Sequence, residues 1–147
     1  MKKLLISTLF FGLCSVQAYA DYIPQQKSVS AQAAQYSTMG IQDLIRAAKS
    51  GQAGAQFYLA TRYQAGKDIQ KDVKEAFTWF KAAADQGISS AQLNVGRMYA
   101  DGIGVSKSET SARQYFEKAA SHGDNRASFN LAVMEEQKKN YMGAYQW

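Results

Sequence analysis

The chain repeats itself every 36 residues. Ala55, Ala91 and Ala127 each open a related segment, AQFYLATRYQAG, then AQLNVGRMYADG, then ASFNLAVMEEQK. A fixed period of this length describes an array of helical units, each too small to bury its own apolar face and therefore stacked on its neighbours. That confines the chain to an all-α solenoid of antiparallel helix pairs. It also places function on a surface rather than in a compact catalytic motif.

The register extends upstream. Ile41 to Gly51 aligns with Phe77 to Gly87 and with Arg113 to Gly123, so Leu44, Phe80 and Phe116 share one position. The organisation is a half unit over 40–54, whole units over 55–90 and 91–126, and a partial unit over 127–147. In the second helix of a unit, Ala76, Phe80, Ala83, Ala84 and Gly87 fall on one face of a 3.6-residue period. Gly51, Gly87 and Gly123 are expected to end these helices in a left-handed conformation. Asp72 with Glu75, and Ser106 with Glu109, have the spacing of capping boxes. The first helices open near Ala55, Ala91 and Ala127. Their small residues, Ala55, Ala60, Ala91, Gly96, Ala127 and Ala132, let backbones approach, while Leu59, Val95 and Leu131 fill the space beside them. Tyr63 and Tyr99 are expected to stack on the next helix. In the third copy that position is Glu135, and a loop four residues shorter is expected to lead into a last short helix from Tyr141.

The N-terminus has the form of a secretory signal peptide over residues 1–20. Lys2 and Lys3 precede an apolar run from Leu4 to Val16, and Ala18-Tyr19-Ala20 supplies the small residues before a cut at Asp21. The run is shorter than the roughly 20 residues of a spanning helix. Cys14 would be the attachment point of a lipoprotein, but Leu13 stands where such a site needs a small residue. The expectation is a periplasmic or secreted protein, with no membrane insertion after cleavage. Residues 21–39 read as a flexible polar leader with a short helix over Ser30 to Tyr36. Removing Lys2 and Lys3 lowers the formal charge from +5 to +3. The remaining basic residues are interleaved with acids, and Lys138-Lys139 sits beside Glu135-Glu136. A nucleic-acid or anionic-membrane partner needs a stripe of one sign, which is absent here.

Chemistry-bearing patterns are sparse. His122 is the single histidine, and Cys14 leaves with the signal, so a zinc site lacks ligands. Gly102-Ile103-Gly104 lacks the Lys-Ser/Thr of a phosphate loop. No serine lies in a nucleophile-elbow context and no two acids stand at catalytic spacing. The expectation is a non-enzymatic protein without metal or cofactor.

The second unit carries a family pattern: Ala91, Val95-Gly96, Tyr99, Gly102-Ile103-Gly104-Val105, Ala112, Tyr115-Phe116, Lys118-Ala119-Ala120 and Gly123. The first carries Ala55, Leu59, Tyr63, Gly66, Asp72, Ala76, Trp79-Phe80, Ala83-Ala84 and Gly87. Both resemble the Sel1-like repeat, a relative of the tetratricopeptide repeat. The first unit departs from that pattern at Asp68, where the family has a second loop glycine. The resemblance implies a right-handed α-solenoid over about Ile41 to Trp147 and a role as an adaptor that holds other proteins. Exported bacterial members include envelope adaptors and immunity proteins, so the implied function is an exported interaction scaffold. An immunity or inhibitor protein against one toxin or hydrolase is the alternative, and an envelope hydrolase a more remote third.

By analogy with tetratricopeptide units, the first helices line a concave face that takes a protein or peptide. The inner positions are Phe57, Leu93 and Phe129, then Thr61, Arg97 and Val133, then Gln64, Asp101 and Gln137. Whether Phe57, Leu93 and Phe129 form a binding stripe or complete the core between repeats is open at this level. Arg97 and Arg126 have less structural reason to be where they are. Tyr141, Tyr145 and Trp147 form a second candidate surface, for a partner or a second copy at the unfinished end.

Overall fold

A computed structural model describes residues 32–144, with side chains through 139. The expected signal peptide, Cys14, the leader before residue 32, Tyr145 and Trp147 lie outside the described residues, as does the side chain of Tyr141. Helix α1 covers residues 32–38, in the part of the leader expected to be flexible and partly helical. Its Ala and Gln residues favour a helix, and the Ser37 and Thr38 hydroxyls bond back to the Ala34 carbonyl at 2.7 and 3.2 Å. It belongs to a compact unit separate from 39–147.

The repeat domain consists of α2 (Ile41–Lys49), α3 (Ala53–Ala65), α4 (Val73–Asp85), α5 (Ser89–Asp101), α6 (Glu109–Ser121) and α7 (Asn125–Ala144). Each helix packs on the next in sequence. The described part of the chain is all-helical and forms the right-handed solenoid expected of such pairs. Helices α3, α5 and α7 are the first helices of their units; α2, α4 and α6 are second helices.

The helix ends follow local chemistry. Asp72 caps α4, its Oδ1 accepting from the Lys74 and Glu75 amides at 2.9 and 3.0 Å. The cap of α6 is Ser108, whose Oγ accepts from the Ser111 amide at 3.2 Å, and not the expected Ser106. Ser108 is the 36-residue equivalent of Asp72; equal loops carry the cap to the same register, and the spacing of Ser106 to Glu109 is incidental. Gly51, Gly87 and Gly123 take φ of 90°, 92° and 84°, as expected for residues that close the preceding helix.

The third copy corrects a further expectation. In the first two units Gly66 and Gly102 cap α3 and α5 in the left-handed region, and seven residues, 66–72 and 102–108, turn the chain back. The equivalent of both glycines is Lys138, and α7 stays helical through 138–144, the stretch where the others turn. A non-glycine residue pays about 1–2 kcal/mol in the left-handed region, and Glu135 to Lys139 are all good helix formers. The expected short helix from Tyr141 is therefore the continuation of one 20-residue helix.

Two cores fill the stack. The first gathers Ala60, Phe80, Ala83, Val95, Met98 and Tyr115, and the second Leu93, Ala112, Phe116, Ala119, Ala127 and Met134. The small residues act as expected at Ala55, Ala60, Ala91 and Ala127, all fully buried. Ala132 is exposed, against expectation, because no second helix stands over it among the described residues. Tyr99 stacks on Tyr115 of the next helix at 5.9 Å and meets Phe77 edge-on at 5.2 Å. One period later Phe77 and Tyr99 become Arg113 and Glu135, which form an ion pair at 2.5 Å. The aromatic ladder thus gives way to a charged pair at the α6–α7 contact.

Asp68 shows how the first unit manages without its second loop glycine. It adopts a positive φ of 60°, a conformation aspartate tolerates better than most residues. Its carboxylate pairs with the buried guanidinium of Arg62. At the equivalent Gly104 (φ 71°) a Cβ would lie 2.2 Å from the Val73 carbonyl oxygen, so only glycine fits.

Candidate protein-binding site

The first helices carry the residues singled out from sequence, and the structure separates them. Leu93 is 1% exposed and packs with Phe116. Phe57 is half-buried, its ring edge-on to Phe80 at 5.6 Å. Both pack a first helix on the second helix of its unit. Phe129, in the same register, is 69% exposed. The side chain is the same type as Phe57; among the described residues no second helix packs over it.

The polar positions stay at the surface. Gln64, Arg97 and Asp101 are exposed, and Thr61 and Val133 are half-buried. Thr61 spends its hydroxyl on the Tyr58 carbonyl at 2.6 Å. Arg97 and Asp101 are one helical turn apart on α5, and no ion pair or hydrogen bond engages the Arg97 side chain among the described residues. Arg126 does have a structural role, contrary to expectation. Its guanidinium binds Asp124 at 2.7 Å and reaches Ser90 Oγ of the preceding unit at 3.5 Å. That hydrogen-bonded guanidinium holds the Asp124 carboxyl below the ordinary carboxylate range. Arg126 therefore steadies the start of α7, leaving Arg97 as the cleaner probe.

A groove of about 360 Å³ opens where α7 continues past residue 138, lined by Ala100, Lys107, Glu109, Met134, Gln137 and Lys138. It exists because the chain does not turn back there. Gln137, expected on the inner face, lies in this groove. Asn130 keeps its Nδ2 buried without a hydrogen-bond partner among the described residues.

Sequence reasoning missed a periodic polar network. Gln56 and Gln92, buried within the first turns of α3 and α5, donate Nε2 to the Ala48 and Ala84 carbonyls of the preceding second helices, each at 3.2 Å. Their Oε1 atoms meet Gln86 Nε2 at 2.8 Å and His122 Nδ1 at 3.0 Å. Because Gln92 Nε2 is the donor to Ala84, its Oε1 accepts, and His122 Nδ1 carries the proton. His122 is exposed at the turn after α6 and repeats the role of Gln86 one period on. Replacing Gln92 with Leu keeps the volume and removes one of two donors to the Ala84 carbonyl, which retains the Gly87 amide at 3.0 Å. We expect a loss of about 0.5–1.5 kcal/mol in urea unfolding, with a smaller loss for His122→Ala because its ring is exposed.

Among the described residues, no three His, Cys, Asp or Glu side chains are grouped to hold a metal ion, and no helix is long and apolar enough to cross a membrane.

The comparisons agree with this architecture. The model of the Sel1 repeat matches residues 53–88 and 89–124. Those bounds coincide with the structural units, which open at the first-helix N-termini two residues before the alanines. A Sel1 repeat protein from Oxalobacter formigenes is 39% identical, with a TM-score of 0.62 over 63% of this chain and 70% of that one. A protective antigen of uropathogenic Escherichia coli with an SLR fold is 28% identical, with a TM-score of 0.60 over 70% of this chain but only 26% of that one. Helicobacter pylori cysteine-rich protein B is 28% identical, with a TM-score of 0.57 over 60% of this chain and 66% of that one. No curated protein matches the chain. With two tandem repeats matched and a relative at 39% identity sharing the stack, the chain belongs to the Sel1 repeat family.

Proposed function

We propose that this protein is an exported, non-enzymatic adaptor that binds a protein or peptide across the exposed face of its first helices. Sel1 repeats commonly serve as protein–protein interaction scaffolds, and the site assignment goes beyond that common role. The carrying observation is the exposed polar row Gln64, Arg97 and Asp101, in which Arg97 is a cation without a partner among the described residues. A guanidinium held on a helix and free of internal bonds is suited to a carboxylate or a backbone carbonyl of a bound segment. Phe57 and Leu93 contribute stiffness beneath this row and not contact area. Export rests on the signal-like residues 1–20, and cleavage before Asp21 would deliver the adaptor to the periplasm or outside the cell.

Arg97→Glu should weaken partner capture from an envelope extract by at least about tenfold, as hot-spot arginines do, with an unchanged thermal midpoint. Equal capture by the variant would remove the face assignment. An immunity role uses the same face but requires one stoichiometric toxin or hydrolase in the captured material. Several assembly components support the adaptor reading.

A further inference from the structure

The groove beside Met134 has a filled counterpart one period earlier. Gly104, in the loop between α5 and α6, lies against the first turn of α4 and the last turn of α5. A Cβ there would stand 2.2 Å from the Val73 carbonyl oxygen and 3.2 Å from Met98 Cε. In the next unit Val73 and Met98 become Glu109 and Met134, and these two line the groove of about 360 Å³. The residues equivalent to the loop belong to α7, which stays helical over 138–144. Among the described residues the groove is therefore the seat of an Ile103-Gly104-Val105 turn with no turn in it. We propose that this groove is a docking site for an acidic, glycine-containing turn of a partner protein, seated as Gly104 is seated in the unit before.

The lining specifies the chemistry of the occupant. Ala100 and Met134 give it an apolar floor. An apolar residue after the glycine would rest on Met134, as Val105 rests on the first core. Glycine itself is set by the backbone: in the filled seat the close carbonyl leaves a side chain no room. Charge supplies the remaining selectivity. Lys107 and Lys138 line the groove and are exposed, and no ion pair or hydrogen bond engages either side chain among the described residues. Against them stands one carboxylate, Glu109, in the first turn of α6, where the helix dipole already favours it. The excess cation suits an aspartate or glutamate beside the glycine. Lys138 stands where the filled seat has Gly102, so this charge is particular to the empty one. A second copy of this chain does not supply the turn. Its loop 102–108 is held by Gly104 against its own Val73. Its loop 66–72 has Asp68 in place of the glycine, with Lys67 and Lys71 around it, like in charge to the rim.

The probe is a cyclic peptide containing Asp-Ile-Gly-Val-Asp, titrated against the full chain by isothermal calorimetry. Saturable one-to-one binding is expected, weakened at least about tenfold by Lys138→Glu, which sets like charges against each other. Added salt should weaken it too. Position 138 is exposed on a helix, so circular dichroism should show the variant folded. A peptide with alanine in place of the glycine should not bind, and that comparison leaves the protein untouched. Arg97→Glu, which tests the adaptor face, should leave the affinity within about twofold, as for sites that share no partner. Absence of saturable binding at millimolar peptide overturns the proposal. So does equal affinity for the alanine peptide, or affinity unchanged in Lys138→Glu. Loss of binding in Arg97→Glu also overturns it, because the peptide would then sit on the row around Arg97.

Discussion

Gly104→Ala should lower the unfolding free energy by about 2–5 kcal/mol, as a shift of the urea midpoint at unchanged slope. Two costs add at this residue. Its φ of 71° is unfavourable for any side chain, and the new Cβ would sit 2.2 Å from the Val73 carbonyl oxygen and 2.8 Å from its carbon. Those atoms belong to the first turn of α4, so relief means moving the helix that seats on α3. Small domains hold about 5–15 kcal/mol in total, and the loss is a large part of that. Gly104→Asp imports the residue that the first unit uses at Asp68 and should fare no better. Asp68 tolerates a side chain because it is exposed and paired to Arg62, whereas Gly104 lies under a neighbouring backbone. A midpoint unchanged in Gly104→Ala would show that this inter-unit contact is not formed.

Gly96→Leu is the second large effect, with an expected cost of about 1–3 kcal/mol. A mid-helix glycine normally gains roughly 1 kcal/mol on becoming alanine, so propensity alone predicts stabilisation. Packing decides otherwise, because a Cβ would lie 2.6 Å from Phe116 Cδ1 and Cε1 and the ring is 2% exposed. Gly96→Ala should fall between the two, its helix gain offset by the displaced ring. Shrinking the ring gives the control: Phe116→Leu destabilises alone, and combined with Gly96→Leu it should cost less than the two single losses together. Strict additivity would mean that the two residues do not share this space.

The fold was legible because one period governs it. Leu44, Phe80 and Phe116 keep one register through three second helices, and each is at most 2% exposed. The third copy carries its difference in one residue: Lys138 occupies the place of Gly66 and Gly102, where the other units turn. Placing a last short helix at Tyr141 requires a shortened loop that the glycine register does not support. The cap at Ser108 was legible by the same register. The fates of Phe57, Leu93 and Phe129 were not. Their local sequence is equivalent, and burial is set by what packs over them among the described residues. The glutamine network was hidden for a related reason. Gln92 is made tolerable in the core by a carbonyl on another helix and by His122, 30 residues away. No local pattern announces such a bond.

The surface assignment is what remains to be measured. Photo-crosslinking residues introduced at the exposed positions 64 and 101 on the first helices, and at the exposed Glu117 on the second helix α6, can be compared in the native envelope. Adducts of a common partner from positions 64 and 101, with none from 117, are the result expected of an adaptor that binds along its first helices. Adducts from 117 alone would contradict that account.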